Sequence, residues 1–372
     1  MMEDAWIVSI QCAVASFNCL FDRMNEFNYL RKELANKPMD EKKFMIIDTD
    51  CGVDDAAALL MALGNFAIKS NWHVLAITTV SGNASIDFVN ENVLKKLKNS
   101  VLDEYINYHQ LAISKHIMQE LSKEEVQDEE SEDAVKIPVY PGAKYGLLKR
   151  SIEDNFHGHD GLGGVACEFT KGNLVLQKEN AVMKMVELAN LYKNKVTLVA
   201  LGPLTNLALA QRIDHKFFSN LKELYIMGGT INALGNCGPA AEFNFASDPE
   251  AADIVLNESA CKITILPWET CVNPGTSKFS WRTHVESEKY AKEVQKLKSY
   301  RSCDSWLMAI VLDEQVIAEK FDWYARVEQI GAHTRGQMIV DKRAKFEGKT
   351  NVTVATKLNM KNVMELTYDM LD

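Results

Sequence analysis

Residues 48–55 read DTDCGVDD, which places four carboxylates within eight positions. An apolar run at 44–47 comes directly before this stretch, and the sequence AAALLM follows it. The pattern predicts a buried strand, a tight turn at Gly52, and a helix that carries Asp54 and Asp55 in its first turn.

So many acids in one turn require an explanation, because like charges repel unless a cation shares them or the acids are protonated. The positive end of a helix favours one acidic residue by about 0.3–1 kcal/mol, and this effect does not require four. A hard divalent cation with oxygen ligands explains the cluster better. The alternative is an acidic helix cap that lies in solvent.

The composition of the 372-residue chain is that of a globular protein, with 47% hydrophobic and 25% charged residues. This length allows one large α/β domain or two smaller ones. The net charge of -10 argues against a nucleic-acid partner, whose phosphates require clustered Lys and Arg. Seven of the acids fall at 124–133, so the rest of the chain is only mildly acidic.

The eight cysteines are scattered and form no C-x-x-C pair. This usage favours reduced thiols over a disulfide framework or a zinc site. Residues 6–21 are fairly apolar, but polar residues interrupt them and Glu3 and Asp4 precede them. They make a poor signal peptide and are too short for a membrane span. We therefore expect a cytoplasmic protein with no membrane partner.

From residue 44 onward, strand-like and helix-like stretches alternate. The predicted strands are 44–48, 73–80, 137–140, 196–201, 223–227 and 262–267. The predicted helices are 54–64, 86–98, 180–193, 205–212 and 248–257. This alternation predicts an α/β fold with an open, mostly parallel sheet flanked by helices. Ligands of such folds bind beyond the carboxyl ends of the strands, where the acidic turn would lie.

Two stretches fall outside this alternation. We interpret residues 1–43 as an N-terminal extension and residues 44–372 as a single domain. Residues 101–136 interrupt that domain and end in an acidic run that is typical of disorder. We expect a surface insertion there, either a tolerated loop or a lid or partner-binding segment.

Further polar residues follow other predicted strands. Asn83 comes after the second strand and can bind a sugar hydroxyl, or it is simply a turn residue. The segment LGPLTN at 201–206 exposes backbone groups to the same crevice, or only connects a strand to a helix. Glu242 and Asn244 share one side of a predicted extended chain. Asp304 precedes an apolar run and is either a site residue or a helix N-cap.

Together these segments closely resemble the inosine–uridine-preferring nucleoside hydrolase family, over roughly residues 44–368. The acidic turn matches that family's D-x-D-x-G-x-D-D signature. The other matching segments are SGN at 81–83, FHGHDGLG at 156–163, GPLTN at 202–206, MGG at 227–229, Asn236, AEFN at 241–244, DPE at 248–250 and TRGQ at 334–337. The resemblance implies the nucleoside hydrolase fold with a Rossmann-like core.

The resemblance also implies a Ca²⁺ ion at the bottom of a pocket. Its protein ligands would be the carboxylates of Asp50, Asp55 and Asp304 and the backbone carbonyl of Leu201, with Asp48 supporting the turn from behind. The implied ribose-binding residues are Asp54, Asn83 and Asn244 at the lower hydroxyls, Asn236 and Glu242 at the 5′-hydroxyl, and Met227 against the sugar.

The reaction implied is hydrolysis of the N-glycosidic bond of a small-molecule ribonucleoside. Carboxylates would stabilise the positive charge of an oxocarbenium-like transition state. Asp50 would take the proton of a calcium-activated water as general base. The resemblance further implies a homo-oligomer, a dimer or a tetramer.

The residue that assists the leaving base is harder to predict. Cys303 stands where many family members have a histidine, and a thiol with a pKa of about 8.5 replaces an imidazole poorly. We therefore expect His157 to be catalytic, the alternative being a histidine that only shapes a glycine-rich loop. Trp306 and Trp323 are candidates for stacking on the base, or else core residues.

Two other functions compete with this interpretation. Cys303 and the insertion are compatible with a weakly active or inactive relative that still binds nucleosides. A strand followed by Asp-x-Asp also occurs in magnesium phosphohydrolases, whose chemistry requires a nucleophilic carboxylate, a Lys and further acids. That function leaves the pair Asp54-Asp55 and residues 242–244 unexplained.

Overall fold

A computed structural model describes residues 42–64, 67, 70–99, 137–148, 156–164, 166–272, 302–346 and 348–369. The predicted surface insertion at 101–136 and residues 1–41 of the predicted extension lie outside this part of the chain. The division into extension, domain and insertion therefore stays a prediction.

Within the described residues, eight strands form one sheet in the order β3-β2-β1-β4-β5-β6-β10-β7. They are β1 (Lys43–Thr49), β2 (Trp72–Thr79), β3 (Val139–Tyr140), β4 (Val196–Ala200), β5 (Glu223–Met227), β6 (Lys262–Leu266), β7 (Ile317–Trp323) and β10 (Val352–Leu358). Neighbouring strands are parallel except for β7, which is antiparallel to β10. A separate antiparallel pair consists of β8 (Ala325–Val327) and β9 (Met338–Val340). The predicted mostly parallel sheet is thus confirmed.

Helices connect the strands. They are α1 (Val53–Leu63), α2 (Ile86–Asn99), α3 (Ala181–Leu191), α4 (Thr205–Ile213), α5 (Phe217–Asn220), α6 (Phe243–Ser247), α7 (Pro249–Glu258), α8 (Trp268–Val272), α9 (Cys303–Leu312) and α10 (Met360–Asp369). The predicted strands and helices agree with these bounds to within two residues. No helix in the described ranges has the length and apolar character that a membrane span requires.

The central strand β1 is buried on both faces, which explains its continuous apolar run. Phe44 and Ile46 belong to the core shared with α3, α4 and α7, whereas Met45 and Ile47 belong to the core shared with α1 and α9. Helix α9 is buried along its whole length because it packs against α1, β5 and α10. The sheet is therefore covered by helices on both sides.

The strand order reverses beside β1. The chain proceeds from β1 through β2 to β3 toward one edge, and then returns to add β4, β5 and β6 on the other side of β1. Such a switch point opens a crevice beyond the carboxyl ends of the strands, where ligands of open α/β sheets bind. The loops that follow β1, β2, β4 and β5 all reach this edge, so the fold brings the predicted site segments together.

Candidate functional site

The turn after β1 is built around Asp55. Its carboxylate accepts hydrogen bonds from Thr49 Oγ1 at 2.6 Å and from the backbone N–H of Gly52 at 2.9 Å. Thr49 Oγ1 also accepts the N–H of Cys51 at 3.0 Å. Cys51 has a φ of 37°, in the left-handed region that non-glycine residues rarely adopt. These bonds hold the chain in an unfavourable turn that aims the acids into the crevice.

Asp50 is fully buried between the loops that follow β2 and β4. Its Oδ2 accepts the backbone N–H of Asn83 at 2.7 Å, while its Oδ1 has no hydrogen-bond partner among the described residues. A Cβ at Gly82 would lie 2.1 Å from Asp50 Oδ2, and one at Gly202 would lie 2.9 Å from Oδ1. Only glycine therefore allows both loops to close on this carboxylate.

Three more acids converge beside Asp50. Asp54, Asp55 and Asp304 offer oxygen atoms that all lie within 4.8 Å of one another. Asp55 and Asp304 are buried and Asp54 is half-buried, so the interpretation as a solvated helix cap is wrong. Asp304 is also not an N-cap, because α9 begins at Cys303 with Ser302 as its cap. The first turns of α1 and α9 meet here.

These acids are expensive to ionise in the absence of a counter-charge. Burial raises the pKa values of Asp50 and Asp304 well above the ordinary range, and the charge of neighbouring acids raises them further. Burial also raises the pKa of Asp54, against the opposing effect of His157. An unpartnered buried oxygen among crowded carboxylates suits a hard cation with oxygen ligands. The residues present therefore fit a Ca²⁺ ion.

The remaining predicted metal ligand is the carbonyl of Leu201. Its oxygen accepts Asn244 Nδ2 at 2.6 Å, and its N–H donates to the carbonyl oxygen of Asp48 at 2.8 Å. The end of β4 is thereby fixed beside the acidic turn. Asp54, for which the resemblance implies a role in binding ribose, also belongs to the compact acidic cluster.

Asp48 lies behind the cluster and ties three elements together. Its Oδ1 accepts Thr78 Oγ1 at 2.7 Å and Asn206 Nδ2 at 2.8 Å, and the same amide reaches the carbonyl of Thr79 at 2.8 Å. Burial raises the pKa of Asp48 to about 7. Asp48 thus supports the turn from behind, as the resemblance implies. The side chain of Asn206 supports it as well, a role that the sequence did not identify.

His157 is buried against the start of α1. Its Nδ1 accepts the N–H of Val53 at 3.3 Å, and its Nε2 lies 3.6 Å from Asp54 Oδ1. Because Nδ1 accepts this N–H group, the ring proton that faces Asp54 is the one on Nε2. Asp160 shapes the glycine-rich loop by accepting the N–H groups of Leu162 and Gly164. The structure thus places His157 in the site, and its catalytic role stays a prediction.

Glu242 and Asn244 do not lie on an extended chain, as the sequence suggested. Glu242 is instead the N-cap of α6, and its carboxylate accepts the N–H groups of Asn244 at 2.8 Å and Phe245 at 3.2 Å. A third bond comes from the N–H of Gly229 at 2.9 Å. The sequence pattern does not reveal the short helix α6. The prediction of an extended chain is wrong because the Glu242 carboxylate accepts the free N–H groups at the start of that helix.

The other predicted sugar contacts surround this cap. Asn244 Nδ2 donates to the carbonyls of Leu201 and Met227, so its amide spans the ends of β4 and β5. Met227 is buried, and its Sδ lies 3.6 Å from Asn244 Nδ2. Asn236 is exposed, and its Oδ1 accepts the N–H of Phe243 at 2.8 Å. These three residues and Glu242 therefore form one end of the crevice.

Glu242 makes the stability of the fold depend on pH in a predictable direction. Burial outweighs its three N–H bonds and raises its pKa from 4.5 to about 7. Because the pKa of Glu242 is higher in the folded protein than in the unfolded one, this side chain contributes stability below pH 4.5. The contribution is lost as the pH rises toward about 7. The free energy of unfolding of the wild type minus that of Glu242→Gln should therefore fall across that window. Urea unfolding midpoints of both proteins measure it, and a difference that grows with pH would contradict the raised pKa.

The three residues considered for contact with the leaving base lie in different parts of the fold. Trp306 is buried in the core, which is the second of the two alternatives that the sequence left open for it. Trp323 lies in the edge strand β7 and stacks on Phe321 at 5.0 Å. Cys303 is buried, and the adjacent thiol of Cys271 together with burial raises its pKa well above the ordinary value.

Comparison with known proteins gives a consistent result. The sequence model of the inosine-uridine preferring nucleoside hydrolase family matches residues 45–130 and 126–365. Probable uridine nucleosidase 2 of Arabidopsis thaliana is 33% identical over 228 residues, which cover 60% of this chain and 59% of that protein. The pyrimidine-specific ribonucleoside hydrolase RihB of Escherichia coli is 33% identical over 219 residues, which cover 58% of this chain and 56% of that protein. The chain thus spans less than two thirds of the length of these curated relatives.

Solved structures agree with the sequence comparison. An inosine-guanosine nucleoside hydrolase superposes with a TM-score of 0.69 at 26% identity, covering 88% of this chain and 98% of that one. The plant nucleoside hydrolase PpNRh1 superposes with a TM-score of 0.68 at 25% identity and the same coverage. The sheet order, the acidic turn and a family match over most of the chain lead to one assignment: this chain belongs to the inosine-uridine preferring nucleoside hydrolase family.

Proposed function

We propose that the protein hydrolyses the N-glycosidic bond of ribonucleosides, releasing ribose and the free base, with Ca²⁺ as its metal ion. The observation that carries the proposal is the convergence of Asp54, Asp55 and Asp304, with Asp50 beside them, at the switch point of the sheet. The names of the relatives support it, since they include a probable uridine nucleosidase, a pyrimidine-specific ribonucleoside hydrolase and an inosine-guanosine nucleoside hydrolase.

Asp50, Asp55, Asp304 and the carbonyl of Leu201 would hold the ion. When bound, Ca²⁺ supplies the positive charge that these acids lack and lowers the pKa of a nearby water. Asp54 belongs to the same cluster and is proposed to bind a ribose hydroxyl from there. Dense packing around Asp50 excludes bulk solvent, which strengthens every charge interaction in the site.

Asp50 is proposed as the general base. Its Oδ2 is held by the N–H of Asn83, whereas its Oδ1 is free to accept a proton from the attacking water. Asp55 cannot serve as easily, because Thr49, Gly52 and the side chain of Asn83 already donate to its oxygens. The difference in hydrogen bonding therefore assigns one carboxylate to proton transfer and the other to holding the turn.

The sugar is proposed to lie between two groups of residues. Asp54, Asn83 and Asn244 would bind the lower hydroxyls, Asn236 and Glu242 would bind the 5′-hydroxyl, and Met227 would pack on the ring. As the glycosidic bond breaks, positive charge develops on the ribose and the buried carboxylates stabilise it. A sugar lacking a hydroxyl would leave buried polar groups unpaired and should react slowly.

His157 is proposed to act at the leaving base. Its proton on Nε2 faces Asp54, which supports a position beside the sugar site. Cys303 is a poor proton donor, because the neighbouring Cys271 thiol and burial raise the pKa of its thiol well above the ordinary value. The preference between purine and pyrimidine bases is therefore expected to depend on these two positions.

Replacing Cys303 with His tests that expectation. The variant places a stronger acid in a buried position close to Asp54, and general-acid assistance is typically worth about 10²–10⁴-fold. We expect the ratio of kcat/KM for inosine to that for uridine to change by at least about tenfold, which is less than the full effect because both leaving bases can accept the proton. An unchanged ratio would show that residue 303 does not reach the leaving base.

The proposed function itself is tested by ribose release from the purified protein. Uridine and inosine should release ribose with calcium and stop releasing it after treatment with a chelator, while 2′-deoxyuridine should react slowly. No release from any common ribonucleoside would favour a weakly active or inactive nucleoside-binding relative. Phosphatase activity that disappears in Asp48→Asn would instead support a phosphohydrolase. The cytoplasmic location and the dimer or tetramer stay predictions from the sequence.

A further inference from the structure

We propose that Glu269 is a positioning residue that fixes the loop carrying the 5′-hydroxyl ligands. This inference rests on the proposed function, because Asn236 and Glu242 are assigned to the 5′-hydroxyl there. The loop in question follows β5 and comprises residues 228–242, here called the β5 loop. Glu269 lies outside the loop, in the first turn of α8.

The carboxylate of Glu269 receives a set of converging backbone N–H groups. Its Oε1 accepts the N–H groups of Ile231 at 3.0 Å, Asn232 at 2.8 Å and Leu234 at 3.3 Å. Its Oε2 accepts the N–H of Ile231 at 2.9 Å. Ala233 has a φ of 57°, and such a left-handed residue in a turn allows neighbouring N–H groups to surround an anion. Hydrogen bonds to an ionised acceptor are stronger than neutral ones.

The part of the loop that Glu269 holds is joined to the part that carries the site residues. Gly235 packs so closely on Ala241 that a Cβ would lie 1.8 Å from the Ala241 carbonyl oxygen. The N–H of Cys237 donates to that same oxygen at 2.9 Å. A displacement of residues 231–234 would therefore shift Asn236, which lies between these contacts.

Other contacts also hold the β5 loop, since Thr230 Oγ1 donates to the carbonyl of Ala240 at 3.1 Å and Lys342 Nζ donates to Asn232 Oδ1 at 2.6 Å. The tip of the loop is nevertheless open to solvent. Asn232, Leu234 and Asn236 are exposed, and segments with few buried apolar contacts open easily. The N–H of Trp268, next to Glu269, donates to the carbonyl of Gly229 at 3.0 Å and so anchors α8 to the start of the loop. Glu269 extends this anchor to the tip. Without it, the N–H groups of the loop would turn to water and the 5′-hydroxyl contacts would loosen.

The kinetic test compares uridine with 5′-deoxyuridine, which lacks the hydroxyl that this loop is proposed to bind. Residues that orient a site from outside typically contribute about 10–100-fold to activity, so Glu269→Ala should lower kcat/KM for uridine by that factor. The value for 5′-deoxyuridine should fall much less. Glu269→Gln keeps one acceptor oxygen and should recover part of the loss. Glu258→Ala is the matched control, because it removes a carboxylate that pairs with Arg212 at the surface.

Hydrogen exchange gives a second measurement that needs no turnover. Amides at 231–236 should exchange faster in Glu269→Ala, while those of β1 and β4 should not change. Equal losses on both nucleosides, or unchanged exchange in the loop, would overturn the proposal. If the wild type releases uracil from neither nucleoside, the proposed function fails, and the exchange data alone decide whether Glu269 holds the loop.

Discussion

Asp50→Ala is expected to lower kcat for ribose release by at least about 10²–10⁴-fold, the range that general acid–base groups contribute. The physical reason is that Asp50 Oδ1 is buried and has no hydrogen-bond partner among the described residues, whereas both oxygens of the neighbouring Asp55 accept hydrogen bonds. Removing Asp50 takes away the proposed proton acceptor and one proposed metal ligand together. Steady-state kinetics on uridine with saturating calcium measure this loss.

The fold should survive this substitution. Asp50→Ala leaves the N–H of Asn83 without its acceptor, at a cost of about 1–3 kcal/mol. The same change removes a buried acid whose ionisation Asp55 opposes, which offsets part of that cost in the metal-free protein. Asp214→Ala, at a partly exposed acid that accepts a hydrogen bond from Asn190 Nδ2, is the control and should leave kcat unchanged. Wild-type rates in Asp50→Ala would refute its role as base.

Calcium is expected to raise the melting temperature of the wild type and to leave that of Asp304→Asn nearly unchanged. An ion that binds only the folded protein stabilises it by about 4.1 kcal/mol at a concentration of 1,000 times its Kd. Asp304 is buried beside Asp54 and Asp55, so its carboxylate is expected to supply a large share of the charge that attracts the ion. Thermal unfolding with and without calcium measures the difference between the two proteins.

The order of stability should reverse when the ion is removed. Because the folded pKa of Asp304 is raised, its contribution to stability is lost as the pH rises above the unfolded value of about 3.9. In chelator at neutral pH, Asp304→Asn should therefore melt above the wild type, and its advantage should grow with pH. Asp214→Asn should follow the wild type in both conditions. An equal calcium shift in wild type and Asp304→Asn would contradict the proposed ligand set.

The elements around the acidic turn could be predicted from the sequence because local pattern and tertiary position agree there. An apolar strand buried on both faces, a glycine turn and acids at a helix start are all visible within residues 44–61. By contrast, β7 is largely exposed and carries Glu319, Lys320 and Asp322, so it shows no continuous apolar run. The pattern therefore does not predict the edge strand β7, and its buried neighbour β10 is also absent from the predicted strands.

The grouping of the acids was only partly predictable. Asp54 joins Asp55 and Asp304 because the starts of α1 and α9, which are far apart in the chain, meet in the fold. Supporting residues such as Asn206 and Glu269 act through hydrogen bonds with the backbone or with a buried acid of another element. A lone polar residue in a loop or helix start gives no sequence pattern that identifies such a contact.

The most direct measurement is a crystal structure of the protein soaked with calcium and ribose. It should show one ion enclosed by the side chains of Asp50, Asp55 and Asp304, with hydroxyls of the sugar bound next to it. If those side chains instead point away from one another, or the ion binds elsewhere while the sugar does not enter the crevice, the account of this site is wrong.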